Sequence, residues 1–333
     1  MTARVVPEAP IPVTVITGFL GSGKTTLLRH LLGQRELADA AVIVNEFGDV
    51  GLDHLLLERG DESTLLLDSG CLCCTLQGDL VTTLQSLLDR RVRGEIPAFS
   101  RVMIETTGLA DPGALIRMFW SDPLRLSRYT FDRTITCIDA VAGVASLAKS
   151  REARRQVAFA DVLVVTKTDL STADAVIAEV FAVNAEAIIV TATMGNVPVD
   201  VLLAMHGRAE APGLDGDSAP STHRLSDIVT VSCTHHEAVA WDRLEHGLAE
   251  LIARFGADLL RLKGLILVDE VDGLVRIDAV QGCFHRPAVT DMPSHEDGAS
   301  HVVAIAQSVD EVQLRRDLKS LFDLSAEQVL HTA

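Results

Sequence analysis

Aromatic side chains and positive charges are scarce in this sequence. Aromatic residues make up 4% of the chain while hydrophobic residues make up 48%, so the core must be aliphatic, which suits an α/β architecture with strands of Val, Ile and Leu. Only 29 Lys and Arg stand against 46 Asp and Glu, which leaves a net charge of −17. This charge argues against nucleic acid or an anionic membrane as a general partner.

Long hydrophobic segments are also missing. No apolar run approaches the ~20 residues of a membrane helix, and residues 11–17 are too short for the hydrophobic part of a secretory signal. We therefore expect a cytoplasmic protein whose six cysteines stay reduced. A length of 333 residues favours two domains.

A glycine-rich segment, GFLGSGKTT at residues 18–26, is the most informative feature that is present. It follows a β-branched run at 13–17 and precedes leucines at helical spacing. Glycines let backbone N–H groups turn towards phosphate oxygens, and the helix N-terminus adds partial positive charge. We predict a phosphate-binding loop in which Lys24 binds the β and γ phosphates and the Thr25 hydroxyl ligates Mg²⁺. The other nucleotide-binding residues predicted here are Gly18, Gly21, Ser22, Gly23 and Thr26.

Short apolar strands alternate with helical segments through the first 200 residues, which implies crossover connections and a mostly parallel sheet with ligand loops at the carboxyl ends of its strands. Gly, Pro, Ser, Ala and Asp then dominate residues 207–221, and strands and helices resume after them. We predict an α/β P-loop NTPase domain at 1–206, a linker at 207–222 and a smaller α+β domain at 223–333.

Glu105 and Gly108 supply the next part of the predicted site. Glu105 closes the apolar strand 101–105, the position from which a P-loop protein supports Mg²⁺. Gly108 follows three residues later, where its N–H would bond a γ-phosphate and move when that phosphate leaves. We therefore predict that Lys24, Thr25, Glu105 and Gly108 are the catalytic residues.

The segment Thr166-Lys167-Thr168-Asp169 follows the predicted strand 161–165 and indicates a guanine site. A carboxylate at Asp169 would accept from N1–H and from the exocyclic amine of guanine, while the stem of Lys167 packs on the ring. Adenine offers no such pair of donors, so the sequence favours GTP and GDP over ATP. Many guanine-binding proteins have asparagine at the position of Thr166, whose hydroxyl can still hold the loop.

Three thiols lie within four residues, at Cys71, Cys73 and Cys74. Thiolates are soft ligands that bind Zn²⁺, Cu(I) or Co²⁺. Three of them do not close a tetrahedral structural site, and the usual second C-x-x-C pair is absent, so we predict an open or transient metal site. The other three cysteines stand singly in the sequence and read as small buried hydrophobic residues.

The motifs GFLGSGKTT, NEFGDVGLD, GCLCC, ETTGLADP and TKTD resemble, in order and spacing, those of the CobW-type P-loop GTPases, from residue 13 to residue 190. These are relatives of the nickel-insertion GTPases of urease and hydrogenase. The resemblance implies a GTP-hydrolysing metallochaperone that transfers zinc or cobalt to a client metalloprotein, with a first switch loop at 45–53. It also implies the transition-metal ligands Cys71, Cys73, Cys74 and Asp49. The histidine-rich linker of many members is missing here.

Metal binding and nucleotide state can be coupled through the predicted switch loop. If γ-phosphate orders this loop, Asp49 or Glu46 would approach the thiolates and complete the metal site, and hydrolysis would release the ion. The catalytic base stays open among Glu46, Asp49 and Asp68, and a homodimer stays open as well. Two alternatives compete: a small-molecule kinase, against which Lys167 and Asp169 argue, and a metal-independent switch that binds a partner through the C-terminal domain.

Overall fold

The computed structural model describes residues 9–44, 65–68, 76–122, 125–203, 227–269, 271–290 and 298–323, with the backbone alone at 65–68 and 76–79. Two compact units can be separated. The N-terminal unit holds the described residues up to 179 together with 187–203, and the C-terminal unit holds 180–186 together with the described residues from 227 onwards. The predicted linker at 207–222 lies outside the described residues, so the predicted domain limits stay a prediction.

The N-terminal unit contains a seven-stranded sheet in the order β3-β2-β4-β1-β5-β6-β7. Every neighbouring pair in it is parallel, which confirms the predicted α/β sheet. Its strands are β1 (Ile11–Gly18), β2 (Ala40–Val44), β3 (Leu65–Asp68), β4 (Arg101–Glu105), β5 (Tyr129–Asp139), β6 (Val162–Thr166) and β7 (Ile188–Thr191). The helices are α1 (Lys24–Leu32), α2 (Leu76–Val92), α3 (Pro112–Ser121), α4 (Gly143–Lys149), α5 (Arg151–Ala158), α6 (Asp174–Val183) and α7 (Val199–Leu203). The last residues of α6, from 180 to 183, belong to the C-terminal unit.

Apolar side chains cover both faces of this sheet. Successive residues of a strand point to opposite faces, and Val42 accordingly packs in one hydrophobic cluster while Ile43 packs in the other. The first cluster includes leucines of α1 and α7, and the second includes leucines of α2 with Phe119 of α3. Because both faces are covered, the strands are almost continuously apolar, as expected for a buried parallel sheet.

The order of the strands gathers the predicted site at one edge of the sheet. The central strand β1 lies between β4 and β5, with Ile16 in register with Glu105 and Gly18 in register with Cys137. Asp139, at the end of β5, is in register with Thr166 at the end of β6. All these residues lie at carboxyl ends of parallel strands, where ligands bind in open α/β sheets.

The C-terminal unit is built on a six-stranded sheet in the order β11-β10-β9-β13-β8, with β12 pairing with β10. Every pair in it is antiparallel, and α8 and α9 contribute to its hydrophobic cluster, so the predicted α+β class is confirmed. Its elements are β8 (Ile228–His235), α8 (Trp241–Phe255), β9 (Leu259–Leu267), β10 (Leu274–Val280), β11 (Cys283–Phe284), β12 (Ala288–Thr290), β13 (Ser300–Gln307) and α9 (Glu311–Asp323).

β9 and β10 form an antiparallel hairpin. Leu267, the last residue of β9, is in register with Leu274, the first residue of β10. Directly after β9, Val268 forms a separate parallel bridge with Val239. Asp310, just before α9, accepts a hydrogen bond of 2.9 Å from the Gln313 N–H. Within the described ranges, no helix is long and apolar enough to cross a membrane.

Candidate functional site

The glycine-rich loop connects β1 to α1 in a conformation that requires its glycines. Gly18, Gly21 and Gly23 all have positive φ, at 139°, 71° and 93°, where glycine is strongly favoured. A Cβ atom on Gly18 would lie 2.3 Å from the carbonyl oxygen of Cys137, so only glycine fits there. Gly23 forms the left-handed N-cap of α1. The loop therefore delivers backbone N–H groups and a helix N-terminus to one place, which fits phosphate binding.

Lys24, the first residue of α1, folds back over this loop. Its Nζ donates to the carbonyl oxygens of Gly18 at 3.0 Å and Phe19 at 3.2 Å. The loop is further tightened by a hydrogen bond of 3.1 Å from the Ser22 N–H to the Phe19 carbonyl. The ammonium group therefore lies at the glycine-rich loop, where a basic residue meets phosphate oxygens.

Thr25 and Glu105 lie in direct contact although they are far apart in the sequence. The Thr25 hydroxyl donates to Oε1 of Glu105 at 2.6 Å, and Glu105 is only 4% exposed at the end of β4. A hydroxyl and a carboxylate beside a phosphate loop are the hard oxygen ligands that Mg²⁺ prefers. The two predicted Mg²⁺ residues are thus brought together, and their chemistry fits the ion.

Gly108 lies against the phosphate loop. A Cβ atom on Gly108 would lie 2.7 Å from the backbone N of Leu20 and 2.6 Å from its side chain, so a larger residue would push the two loops apart. The segment before it continues the pairing of β4 with β1, because the Thr106 N–H donates to the Ile16 carbonyl at 2.9 Å. The Thr106 and Thr17 hydroxyls are also bonded at 2.9 Å. These contacts hold the residues just before Gly108 beside β1.

Thr166 connects the predicted guanine loop to the phosphate loop. Its buried hydroxyl lies 2.7 Å from the carbonyl oxygen of Ser22 and 3.3 Å from that of Ile138. Its side chain also lies 3.4 Å from the place where Gly23 would carry a Cβ atom. The hydroxyl therefore makes the kind of loop-holding contact that the sequence suggested for it.

Lys167 is held by an acidic residue that sequence analysis missed. Its backbone is left-handed, with φ of 57°, and its Nζ donates to Oδ2 of Asp139. The other oxygen of Asp139 accepts from the N–H groups of Val141 at 2.6 Å and Ala142 at 3.1 Å. Burial alone would raise the pKa of Asp139, but these hydrogen bonds outweigh it and hold the pKa below its ordinary value. Asp169 is exposed at the same edge.

A second loop at this edge, residues 192–198 after β7, was also missed. The Thr193 hydroxyl lies 2.9 Å from that of Thr168, and a Cβ atom on Gly195 would lie 2.8 Å from the carbonyl oxygen of Thr26. Gln34 pins the loop, donating to the Val197 carbonyl at 2.8 Å and accepting from the Val199 N–H at 2.9 Å. The signal available in the sequence was its position after the last strand of the parallel series.

The predicted transition-metal ligands Cys71, Cys73, Cys74 and Asp49 lie outside the described residues, as does the rest of the switch loop 45–53. The strands that lead to these two segments are neighbours, because Val44 and Asp68, the last residues of β2 and β3, are in register. Within the part of the chain that the structure describes, no group of three or more His, Cys, Asp and Glu is placed to hold a metal ion.

The three single cysteines lie within the described residues. Cys137 and Cys233 are buried and Cys283 is partly buried. Burial raises the pKa of Cys137 to about 12, so this thiol stays protonated at neutral pH and is a poor ligand. The expectation of small buried residues therefore holds for Cys137 and Cys233.

Comparison with known proteins identifies the family. The profile described as "CobW/HypB/UreG, nucleotide-binding domain" matches residues 12–192. The profile described as "Cobalamin synthesis protein cobW C-terminal domain" matches residues 228–322. The chain belongs to the CobW/HypB/UreG family. The resemblance inferred from the five motifs is thereby confirmed.

Individual relatives extend over nearly the whole chain. The zinc chaperone YjiA of Escherichia coli (strain K12) is 33% identical over 314 residues, which covers 92% of this chain and 97% of the relative. The zinc chaperone CobW of Pseudomonas aeruginosa is 31% identical over 352 residues, which covers 94% of this chain and 92% of the relative. The crystal structure of the Zn(II)-bound YjiA GTPase from E. coli superimposes with a TM-score of 0.72 at 28% identity, covering 94% of this chain and 99% of that one.

Proposed function

We propose that this protein hydrolyses GTP and uses its nucleotide state to bind and release zinc, which it passes to a client metalloprotein. The observation that carries the hydrolytic part is the 2.6 Å hydrogen bond between Thr25 and Glu105 beside the glycine-rich loop. It joins the start of α1 to the end of β4 and gathers two oxygen ligands where a nucleotide's phosphates would meet Lys24.

Phosphate binding falls to the backbone of the loop and to Lys24. The N–H groups around Gly21 and Gly23 and the start of α1 attract anionic oxygens. The Lys24 ammonium exchanges its present bonds to the Gly18 and Phe19 carbonyls for stronger, charge-assisted bonds to the β and γ phosphates. Phosphate binding therefore depends on a few groups of the loop and not on the charge of the whole protein, so it is compatible with the net charge of −17.

Hydrolysis uses Thr25, Glu105 and Gly108. Thr25 and Glu105 would hold Mg²⁺, which supplies positive charge where negative charge develops on the phosphates. Gly108 adds an N–H group that bonds the γ-phosphate, and its close approach to Leu20 supports this role because the backbone at residue 108 lies directly against the phosphate loop. Loss of the γ-phosphate removes that bond and changes the position of the loop.

Guanine is selected by Asp169 and Lys167. The Asp139 carboxylate orients the Lys167 side chain, and this supports a stem that packs on the purine ring. Asp169 then accepts from N1–H and from the exocyclic amine of guanine. ATP is disfavoured because adenine offers that carboxylate no pair of donors.

Zinc is the metal we assign to Cys71, Cys73 and Cys74, with Asp49 joining them in the GTP state. Three thiolates and one carboxylate form a ligand set that Zn²⁺ accepts, and the similar proteins from E. coli and P. aeruginosa are named zinc chaperones. The adjacency of β2 and β3 supports coupling, because the switch loop and the cysteine loop leave the sheet at neighbouring strand ends.

The direct test of the hydrolytic part is phosphate release from GTP and from ATP by the full chain with Mg²⁺. We expect hydrolysis of GTP with little or none of ATP. Equal activity on both nucleotides would overturn the guanine assignment and favour the kinase alternative. No release from GTP, with or without zinc, would overturn the proposed GTPase function.

A further inference from the structure

The backbone around Gly108 is held by a glutamine that the nucleotide motifs do not include. Gln156, on α5, is 1% exposed. Its Nε2 donates to the carbonyl oxygen of Gly108 at 3.1 Å and to that of Ala110 at 3.1 Å. Both N–H groups of this side-chain amide therefore donate to carbonyls of the same loop.

The neighbouring residue of α5 reinforces this contact. Arg155 donates from Nη2 to Oδ2 of Asp111 at 2.7 Å, and Oδ1 of Asp111 accepts the Gly113 N–H at 3.0 Å and so caps α3. Two consecutive residues of one helix therefore hold three positions of the loop. We refer to Arg155 and Gln156 as the α5 clamp.

The clamp stands on a well-anchored helix. Ser150 caps its start by accepting the Ala153 N–H at 3.1 Å, and the Thr136 hydroxyl of β5 donates to the backbone carbonyl of Gln156 at 2.9 Å. The cleft beside Gln156 is also lined by Phe19, Leu20 and Ser22 of the phosphate loop. The clamp therefore positions Gly108 relative to β1 and the phosphate loop, and not merely relative to its own helix.

The side-chain oxygen of Gln156 indicates that this residue does more than fill space in the core. Oε1 of Gln156 is buried and has no hydrogen-bond partner among the described residues. A buried acceptor without a donor is unfavourable, so stability alone is a poor explanation for glutamine at this position. Two donors aimed at the carbonyls of Gly108 and Ala110 explain it better.

We propose that Gln156 is a positioning residue for the GTP-bound state, holding the Gly108 N–H where the γ-phosphate requires it. This inference rests on the proposed GTPase function. A preorganised donor contributes most when it needs no reordering during reaction. GDP lacks the γ-phosphate, so its binding does not draw on Gly108 and is independent of the clamp.

The test compares Gln156→Leu with the wild type in GDP affinity, in affinity for a non-hydrolysable GTP analogue with Mg²⁺, and in kcat. Gln156→Leu removes both N–H donors, so the carbonyls of Gly108 and Ala110 lose their hydrogen bonds to this side chain. We expect the affinity for the analogue and kcat each to fall roughly tenfold while GDP affinity is unchanged. The matched control is Gln34→Leu, which likewise removes the hydrogen bonds of a glutamine side chain to the backbone, here at the 192–198 loop. It should weaken GDP and the analogue by the same factor.

A second variant of nearly the same size, Gln156→Glu, covers the case in which Gln156→Leu does not fold. Its carboxylate would face the Gly108 and Ala110 carbonyls and repel them. Burial raises the pKa of such a group, and its protonated form can again donate to one carbonyl. The hydrolysis rate of Gln156→Glu relative to the wild type should therefore rise as the pH falls.

The outcomes separate the two levels of the proposal. Wild-type protein that does not release phosphate from GTP overturns the proposed function itself. If the wild type is active but Gln156→Leu keeps the wild-type ratio of GDP to analogue affinity and the wild-type kcat, the positioning role is wrong. A ratio of Gln156→Glu to wild-type activity that stays constant with pH leads to the same conclusion.

Discussion

The hydroxyl of Thr166 offers a sharp test of how the two halves of the nucleotide site are joined. Thr166→Val keeps the shape of the side chain but removes the donor that lies 2.7 Å from the Ser22 carbonyl. The contact is buried, with Thr166 only 4% exposed, and leaving a buried carbonyl without its donor costs about 1–3 kcal/mol. Since about 1.4 kcal/mol corresponds to a factor of ten, we expect affinities for GDP and for a GTP analogue to fall together, roughly tenfold.

Isothermal titration calorimetry with both nucleotides measures this effect, and thermal unfolding separates it from a general loss of stability. Thr230→Val is the matched control, because its hydroxyl also donates to a backbone carbonyl, that of Val183 at 2.6 Å, within the C-terminal unit. It should lower the melting temperature and leave nucleotide affinity unchanged. Thr166→Asn, which keeps a donor, should retain most of the affinity. Wild-type affinity in Thr166→Val would refute the argument that this hydroxyl orders the phosphate loop.

Further predictions concern other single residues. Lys24→Ala should abolish detectable GTP binding in calorimetry, because the ammonium contacts the phosphates in the ground state; unchanged GTP affinity would refute the phosphate-loop assignment. Thr25→Ala should lower kcat more than it lowers GTP affinity, because Mg²⁺ acts mainly on charge that develops during the reaction. Asp169→Asn should shift the preference from GTP towards xanthosine triphosphate, since an amide can donate to the xanthine carbonyl, and a variant that still prefers GTP would contradict the guanine assignment. Cys137, with its pKa raised to about 12 by burial, should resist iodoacetamide at about pH 8 in the folded protein; mass spectrometry that finds it labelled without unfolding would contradict this.

Local patterns predicted much of the architecture. The apolar run at 101–105 predicted the limits of β4 correctly. Glycines followed by Lys24 and Thr25 likewise predicted the loop between β1 and α1, because its conformation depends on residues close in sequence. The parallel character of the sheet followed from the alternation of strands and helices.

Long-range partners were much harder to predict. Asp139, Gln156 and Thr193 carry no local signature, and each enters the site only because the strand order β4-β1-β5-β6-β7 brings distant loops to one edge. A lone aspartate after a strand or a lone glutamine in a short helix is usually an ordinary surface residue. Here, pairing between strands that are far apart in the sequence brings these residues into the site, and the periodicity of the sequence does not specify which strands pair.

If nucleotide state controls metal binding, the metal affinity of this protein must differ between its GDP and GTP states, and a metal titration in both states measures this difference. Zn²⁺, or Co²⁺ with its thiolate charge-transfer band, is titrated into the full chain at saturating GDP and at saturating GTP analogue with Mg²⁺. We expect one metal ion per chain, bound more tightly with the analogue than with GDP. In Cys73→Ser/Cys74→Ser the charge-transfer band should be lost while GTP binding is retained. Linkage requires metal to raise the affinity for the analogue, relative to the affinity for GDP, by the same factor. Identical metal affinities in the two states would refute coupling between nucleotide and metal and leave a GTPase with incidental thiols.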